Sequence, residues 1–156
     1  MASQGKSTTA SWISLVLIIV GAVMAVVGAV SYASVASTLA DERIPVSEDA
    51  CLAGGNVNGP FPAYCQAMII AVHATEATGG KTYAELGRDD PLRQTAMTAS
   101  FLRASLFTSV VAFGVSALVV GLGALFILTG VALRSLAGRK EDEPAVAAAA
   151  PPAATA

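Results

Sequence analysis

Two long stretches of the chain are almost continuously apolar, and a mixed segment separates them. The first is uncharged from Trp12 to Ala40, and the second is uncharged from Ala104 to Leu133. Roughly 20 apolar residues are enough for a helix to cross the hydrocarbon core of a bilayer. The pattern therefore predicts two transmembrane helices, over residues 12–34 and 104–133, with a helical domain over residues 35–103 between them.

The second predicted span continues a helix that starts outside the bilayer. Asp89 and Asp90 can accept hydrogen bonds from the first backbone N–H groups of a helix, and Pro91 suits the first helical position. From Leu92 to Arg103 apolar and polar residues alternate as on an amphipathic helix. One helix from Pro91 to Leu133 would be roughly 60 Å long, about twice the hydrocarbon thickness. The excess predicts a stalk.

The first span has one alternative interpretation, which is a cleavable signal peptide with small residues near positions 33–37 as the cleavage site. Its apolar core, Ile13 to Val30, exceeds the roughly 7 to 15 residues of a signal-peptide core, and only Lys6 precedes it. Trp12 suits the headgroup region, where an indole keeps its ring apolar and its N–H wet. We therefore expect a retained span.

Both spans carry small residues at helical intervals. They are Gly21, Ala25 and Gly28 in the first span and Gly114, Ala117 and Gly121 in the second. Helices in lipid associate through close backbone approach over small residues. The spacing predicts an antiparallel hairpin packed through these two faces. The same faces could instead serve a partner helix, and glycine and alanine are also simply frequent in this chain.

Between the spans, prolines and glycines divide the chain into short elements. Pro45 should end the first helix, and residues 47–49 should form a turn. Residues 54–60 concentrate glycine, asparagine and proline and predict a loop. A second helix is expected from Pro62 to a stop at Gly79 and Gly80. Thr82 and Glu85 then have the spacing of a capping box.

The two cysteines determine the predicted orientation. Cys51 and Cys65 both fall between the spans, and a structural disulfide persists only in an oxidising compartment. The basic residues near the spans are weaker evidence, because arginines occur on both sides. We expect a two-pass plasma-membrane protein with a disulfide-closed extracytoplasmic domain. Both termini, residues 1–11 and 134–156, should be cytoplasmic, and the Ala/Pro-rich tail should be disordered. A pair of free buried thiols is the alternative to the disulfide.

Composition excludes one class of partner. The chain is 54% hydrophobic and carries a formal net charge of −2. Its nine Lys and Arg residues are scattered along the chain, whereas phosphate contacts with nucleic acid need a clustered basic surface. Nucleic-acid binding is therefore not expected.

Candidate chemistry is limited to His73 and Glu76, which are three residues apart on one predicted helix face. They could share a hydrogen bond or a metal ion. A metal site needs three or four protein ligands, and the chain has a single histidine. We expect His73 to bond to a nearby carboxylate or carbonyl, and we expect no cofactor, no metal and no catalysis. Arg103 is expected to reach lipid headgroups or an acidic residue rather than a substrate.

Residues 73–86, HATEATGGKTYAEL, and residues 98–107, TASFLRASLF, resemble small two-span actinobacterial membrane proteins of unestablished function. That group is often named as an aromatic ring-opening dioxygenase subunit. Such an enzyme commonly holds iron with two histidines and a carboxylate, which one histidine does not provide. The resemblance implies a host class and a two-span topology.

Together these features predict an all-α membrane protein, a two-transmembrane helical hairpin with extended stalks and a small disulfide-closed helical domain. The expected function is a non-catalytic accessory or scaffold subunit of a larger membrane complex, with membrane lipids and other subunits as partners. The alternative is a self-assembling protein, a homo-oligomer that binds or carries lipid or another small apolar molecule.

Overall fold

The computed structural model describes residues 4–139, with side chains for residues 9–137. In that range the chain contains helices, loops and one isolated bridge between Pro45 and Asn56, and no strand. The helices are α1 (Gln4–Asp41), α2 (Pro60–Ala77) and α3 (Arg93–Arg139). The all-helical prediction is confirmed. The disordered tail was predicted over residues 134–156; the chain is helical as far as Arg139, and the rest of that tail lies outside the described residues.

The two long apolar helices predicted from the pattern are α1 and α3. Segments long and apolar enough to cross a bilayer run over Thr9–Asp41 and Arg93–Ala137. Only 17% of the most apolar window is buried in each segment. A core helix of a soluble protein would have most of this window buried, so the exposed apolar surface of both helices is consistent with a membrane environment.

The ends of the helices follow local sequence signals to within two residues. α1 stops at Asp41, four residues before Pro45, as expected. α3 begins at Arg93, two residues after the expected Pro91. The Oδ1 of Asp90 accepts the N–H of Leu92 at 2.9 Å and so forms a turn just before the helix. The predicted helical continuation before the second span is therefore present, with a slightly later start.

α2 begins at Pro60, two residues before the expected Pro62, with Gly59 extended in front of it. It ends where glycine makes a left-handed turn possible. Gly79 and Gly80 have φ of 64° and 87°, and the N–H of Gly80 donates to the carbonyl of Thr75 at 2.8 Å. Residues with a side chain rarely adopt this conformation, so the double glycine explains the stop.

The chain divides into two compact units, and the first comprises residues up to Val27 together with residues from Val119 onward. In this unit α1 and α3 run antiparallel with their backbones nearly in contact. A Cβ added to Gly21 would lie 2.5 Å from the carbonyl oxygen of Gly123, and one added to Gly130 would lie 2.8 Å from the carbonyl oxygen of Ser14. Only glycine allows this approach, as expected for helices that associate in lipid.

Gly21 and Ala25 both lie in this contact, since Ala25 is against Gly123. The set of small residues named on the second helix lies outside it. Gly114, Ala117 and Gly121 are exposed, and a Cβ added to either glycine would meet nothing within 4 Å. Each of them follows a buried or half-buried residue by one position. One residue turns an α-helix by about 100°, so the predicted face points away from α1.

The buried positions of the long helices repeat every seven residues. In α1 they include Ser14, Gly21 and Gly28, and in α3 they include Ser116, Gly123 and Gly130. A seven-residue repeat keeps two helices in register through a gentle left-handed crossing. The hydroxyl of Ser14, fully buried, is satisfied by the carbonyl of Ser11 at 2.8 Å. Gly28 is buried like Ser14 and Gly21.

The second unit comprises residues Gly28–Leu118 and contains α2 with the adjoining parts of α1 and α3. Its core is a small apolar cluster contributed by all three helices and by the loop before α2. The buried members are Leu39, Val46, Val57, Ala63, Ala67, Leu106 and Phe113. Phe113 also stacks at a tilt on Tyr32 of α1, with ring centroids 4.7 Å apart. Val57 is fully buried, so the loop predicted over residues 54–60 packs into the core.

The loop before α2 is held to that helix by a covalent bond and by a buried amide. Cys51 and Cys65 lie at disulfide distance and are bonded, with Cα atoms 5.4 Å apart. The next residue of α2, buried Gln66, accepts the N–H of Ser47 at 2.9 Å and donates to its hydroxyl at 3.0 Å. The segment has little apolar area of its own, so these links stabilise it in place of a larger core.

We predict that Cys51→Ser lowers the free energy of unfolding of the second unit by about 3 kcal/mol, because a closed loop of this length restricts the unfolded chain by about that amount. Urea-dependent proteolysis of the protein in lipid nanodiscs measures the change. Wild-type protein in reducing agent should match the variant. Membrane insertion should be unaffected, and loss of the variant from the membrane fraction with proteolysis blocked would contradict this prediction.

Candidate functional site

The segment between the long helices places His73 against a carboxylate, as expected, although the partner is not Glu76. His73 Nε2 lies 2.5 Å from Asp49 Oδ2, and the ionised carboxylate can only accept, so the imidazole N–H donates. Among the described residues, the Glu76 carboxylate has no hydrogen bond or ion pair. The arrangement joins α2 to the turn that precedes Cys51. Among the described residues, no other titratable side chain bonds to the imidazole.

This pair is largely exposed, with side-chain exposures of 49% for His73 and 54% for Asp49. The hydrogen bond from His73 is the main cause that lowers the pKa of the Asp49 carboxyl from its ordinary value. An exposed pair of this kind contributes little to stability because water screens it. In the part of the chain that is described, no three His, Cys, Asp or Glu side chains come together as a metal site would require.

Thr82 and Glu85 form the predicted reciprocal contact, but within a turn and not at the start of a helix. The backbone N–H and the hydroxyl of Thr82 both donate to Glu85 Oε2 at 2.8 Å, and the N–H of Glu85 donates back to the Thr82 carbonyl. These bonds, first the one from the backbone N–H, lower the pKa of Glu85. Their role is to shape the connection between α2 and α3.

A groove of about 450 Å³ runs between α2 and α3 in the second unit. Its walls are apolar, with Ile70 on α2 and Ala99 and Leu102 on α3, and its polar edge includes Gln94 and Thr98. Volumes of this order hold small molecules. The groove is open along one side, so it is a surface furrow and not an enclosed cavity.

Two arginines at opposite ends of the stalk part of α3 have very different surroundings. Arg93 donates from Nη1 to the carbonyl oxygen of Leu86 at 2.5 Å and of Tyr83 at 3.3 Å, and its Cζ lies 4.0 Å from the centre of the Tyr83 ring. The Nε of Arg103 is buried and has no hydrogen-bond partner. Its one described contact is with the ring of Phe107, 5.9 Å from Cζ. Arg93 is hydrogen-bonded within the chain, whereas the Nε of Arg103 is not.

Sequence reasoning missed Asp49 and the environment of Arg103. Asp49 is 24 residues from His73, and no local spacing rule relates residues so far apart across a loop. Ser116, Gly123 and Gly130 form an alternative set of small residues on α3 with a seven-residue repeat. That repeat could have indicated that Gly114 and Gly121 are exposed, but the small-residue pattern alone did not distinguish the two sets.

Known proteins add nothing to this picture, since no protein-family model, curated protein or solved structure matches the chain. Function is therefore inferred from the sequence and from the geometry of the described residues.

We predict that the stability of the second unit begins to fall as the pH drops below about 4, the ordinary pKa of an aspartate in the unfolded chain. A carboxyl with a lowered pKa stabilises the folded state above its unfolded pKa, and this stabilisation is lost as the pH falls through the folded value. Glu85 shifts in the same direction and adds to the effect. Urea midpoints from pH 6 to pH 3 should therefore fall less steeply for Asp49→Asn than for the wild type.

The control for this measurement is Glu85→Gln, which should remove a separate part of the acid sensitivity and leave the Asp49 part. An unchanged acid slope in Asp49→Asn would show that the bond to His73 does not persist in solution.

Proposed function

We propose that the protein is a non-catalytic integral membrane subunit that serves as an accessory or scaffold component of a larger membrane complex. It spans the plasma membrane twice, with both termini in the cytoplasm and the segment between the helices outside. Two observations support the membrane placement: the length of the two apolar helices and the small buried share of each. The bonded cysteine pair between them supports an oxidising location for that segment.

The main support for this function is a second face of small residues on α3. Gly114, Ala117 and Gly121 occupy one face of the helix, and α1 packs elsewhere. Lipid chains pack equally well against large and small side chains, whereas a partner helix gains from small residues because its backbone can approach closely. α3 therefore has one glycine face for α1 and a second one available to a helix of another subunit.

The central segment has a surface that supports the same function. One side of α2 presents exposed apolar side chains at intervals of three and four residues, which are Phe61, Tyr64, Met68 and Val72. Exposed apolar rows of this kind mark interaction surfaces. His73 and Glu76 lie near the C-terminal end of α2 and belong to no metal cluster among the described residues, and the proposed role is structural.

The alternative is a self-assembling protein that carries a small apolar molecule. The groove between α2 and α3, about 450 Å³ with apolar walls, favours it over other candidates. Copies of the chain that associated through the second face of α3 would form a homo-oligomer. The two functions differ in what co-purifies with the protein: a different polypeptide in one case, and only further copies with bound lipid in the other.

The test is a double substitution, Gly114→Leu with Gly121→Leu, in tagged protein expressed in its own host and extracted in mild detergent. We expect the yield of the co-purifying polypeptide to fall about tenfold or more, since a loss of about 1.4 kcal/mol already gives that factor. The fold should persist because nothing lies within 4 Å of either new Cβ. Native-size analysis and mass spectrometry identify what remains bound.

Two controls separate this effect from general damage. Val115→Phe adds bulk at an exposed position on another side of α3 and should leave the complex intact. Gly123→Leu should disrupt the hairpin itself, because its Cβ would lie 2.6 Å from the Gly21 carbonyl oxygen. A double variant that retains its partner in full would refute the scaffold proposal, and recovery of a self-oligomer alone would support the carrier.

A further inference from the structure

Arg103 is the one described side chain with a buried polar atom that has no hydrogen-bond partner, its Nε. Buried polar groups are nearly always paired, with protein or with a bound molecule, because an unpaired one costs a desolvation penalty. No carboxylate among the described residues lies within ion-pair distance of this guanidinium. Arg103 as a whole is half-buried, so it carries a positive charge that has no described anionic partner.

The position of Arg103 along α3 limits what an anionic partner can be. It is the last charged residue before thirty uncharged ones, Ala104 to Leu133. In a membrane-spanning helix this is the point where the headgroup layer meets the chain, and arginine side chains there extend toward phosphates. This step depends on the membrane placement proposed above.

The neighbours of Arg103 are aromatic. Phe107, one turn further along α3, lies beneath the guanidinium and contacts Tyr64 of α2 edge to face, with centroids 6.0 Å apart. Tyr64 is 47% exposed, and Phe61, one turn earlier on the same side of α2, is 74% exposed. Aromatic rings of this kind are enriched where membranes meet water. The surface around Arg103 therefore continues the apolar surface of α3 onto α2.

We propose that Arg103 is a binding site for the phosphate of an outer-leaflet phospholipid, with Phe107, Tyr64 and Phe61 against the upper part of its acyl chains. A guanidinium presents its N–H donors in a planar fork that matches phosphate oxygens. Arg93 does not offer such a site, since carbonyl oxygens and the ring of Tyr83 already satisfy it.

The experiment measures retention of dioleoyl-phosphatidylglycerol by the purified full chain in neutral detergent, using native mass spectrometry. Arg103→Gln should bind the lipid roughly 10- to 100-fold more weakly, because charge-assisted hydrogen bonds to the phosphate are lost. Arg88→Gln is the matched control, since it removes one exposed cation from the same segment and should leave binding unchanged. Equal binding by Arg103→Gln and the wild type would overturn the inference.

Two further ligands define the chemistry. Dioleoylglycerol has the same acyl chains without the phosphate, and its binding should not depend on Arg103. Inorganic phosphate alone should bind far more weakly than the phospholipid, because it lacks the acyl chains. An affinity for inorganic phosphate equal to that for the lipid would replace the lipid site with a simple anion site and overturn the inference.

A measurement on the wild type covers the case in which Arg103→Gln fails to fold. The Nε–H resonance of Arg103 should shift when phosphatidylglycerol is added and not when dioleoylglycerol is added, and the absence of a shift overturns the inference. Since purified chain alone is used, this result is independent of the scaffold proposal. If Arg103→Gln keeps the lipid but loses a polypeptide that co-purifies with the wild type from the host membrane, Arg103 binds a carboxylate of that partner, and the inference is overturned.

Discussion

Close backbone contact between α1 and α3 is the constraint on which the structure depends. The pair relies on van der Waals contact at Gly21, Gly123 and Gly130, where the two backbones nearly touch. In each compact unit the two helices run antiparallel. A side chain added at any of these glycines would separate the backbones locally, because a backbone carbonyl oxygen lies within 3 Å of each added Cβ.

The central segment is built on a different principle. It is too small to bury a large core, and its apolar cluster consists mainly of short side chains from three helices and two loop residues, Val46 and Val57. Covalent closure at Cys51 and Cys65 and the two bonds of Gln66 to Ser47 replace part of the missing apolar area. The exposed pair of His73 and Asp49 adds a positional contact between the same two elements, with little energy.

The fold was predictable where a residue determines the backbone by itself. Pro45, Gly79 and Gly80 end their helices within a few residues of the expected positions, and runs without charge identified α1 and α3. The packing face of α3 was not predictable from small residues, since two glycine-containing faces about 100° apart satisfy the same rule and only the position of α1 distinguishes them. The partner of His73 depends on how the loop folds back, which short-range spacing does not encode. The environment of Arg103 likewise requires the contact between α2 and α3.

The unequal exposure of the two bonded cysteines has a kinetic consequence. Cys51 faces solvent, whereas Cys65 is only 5% exposed. An incoming thiolate therefore reaches the Cys51 side of the bond more readily, and the leaving group is then the thiolate of Cys65, a charge formed in an apolar setting. Exchange by that route is slow while α2 stays packed, and unfolding removes this protection because it exposes Cys65. Since Cys51 and Cys65 are the two cysteines of the chain, the bond has no wrong pairing to correct, and reductant opens it mainly through unfolding of the second unit.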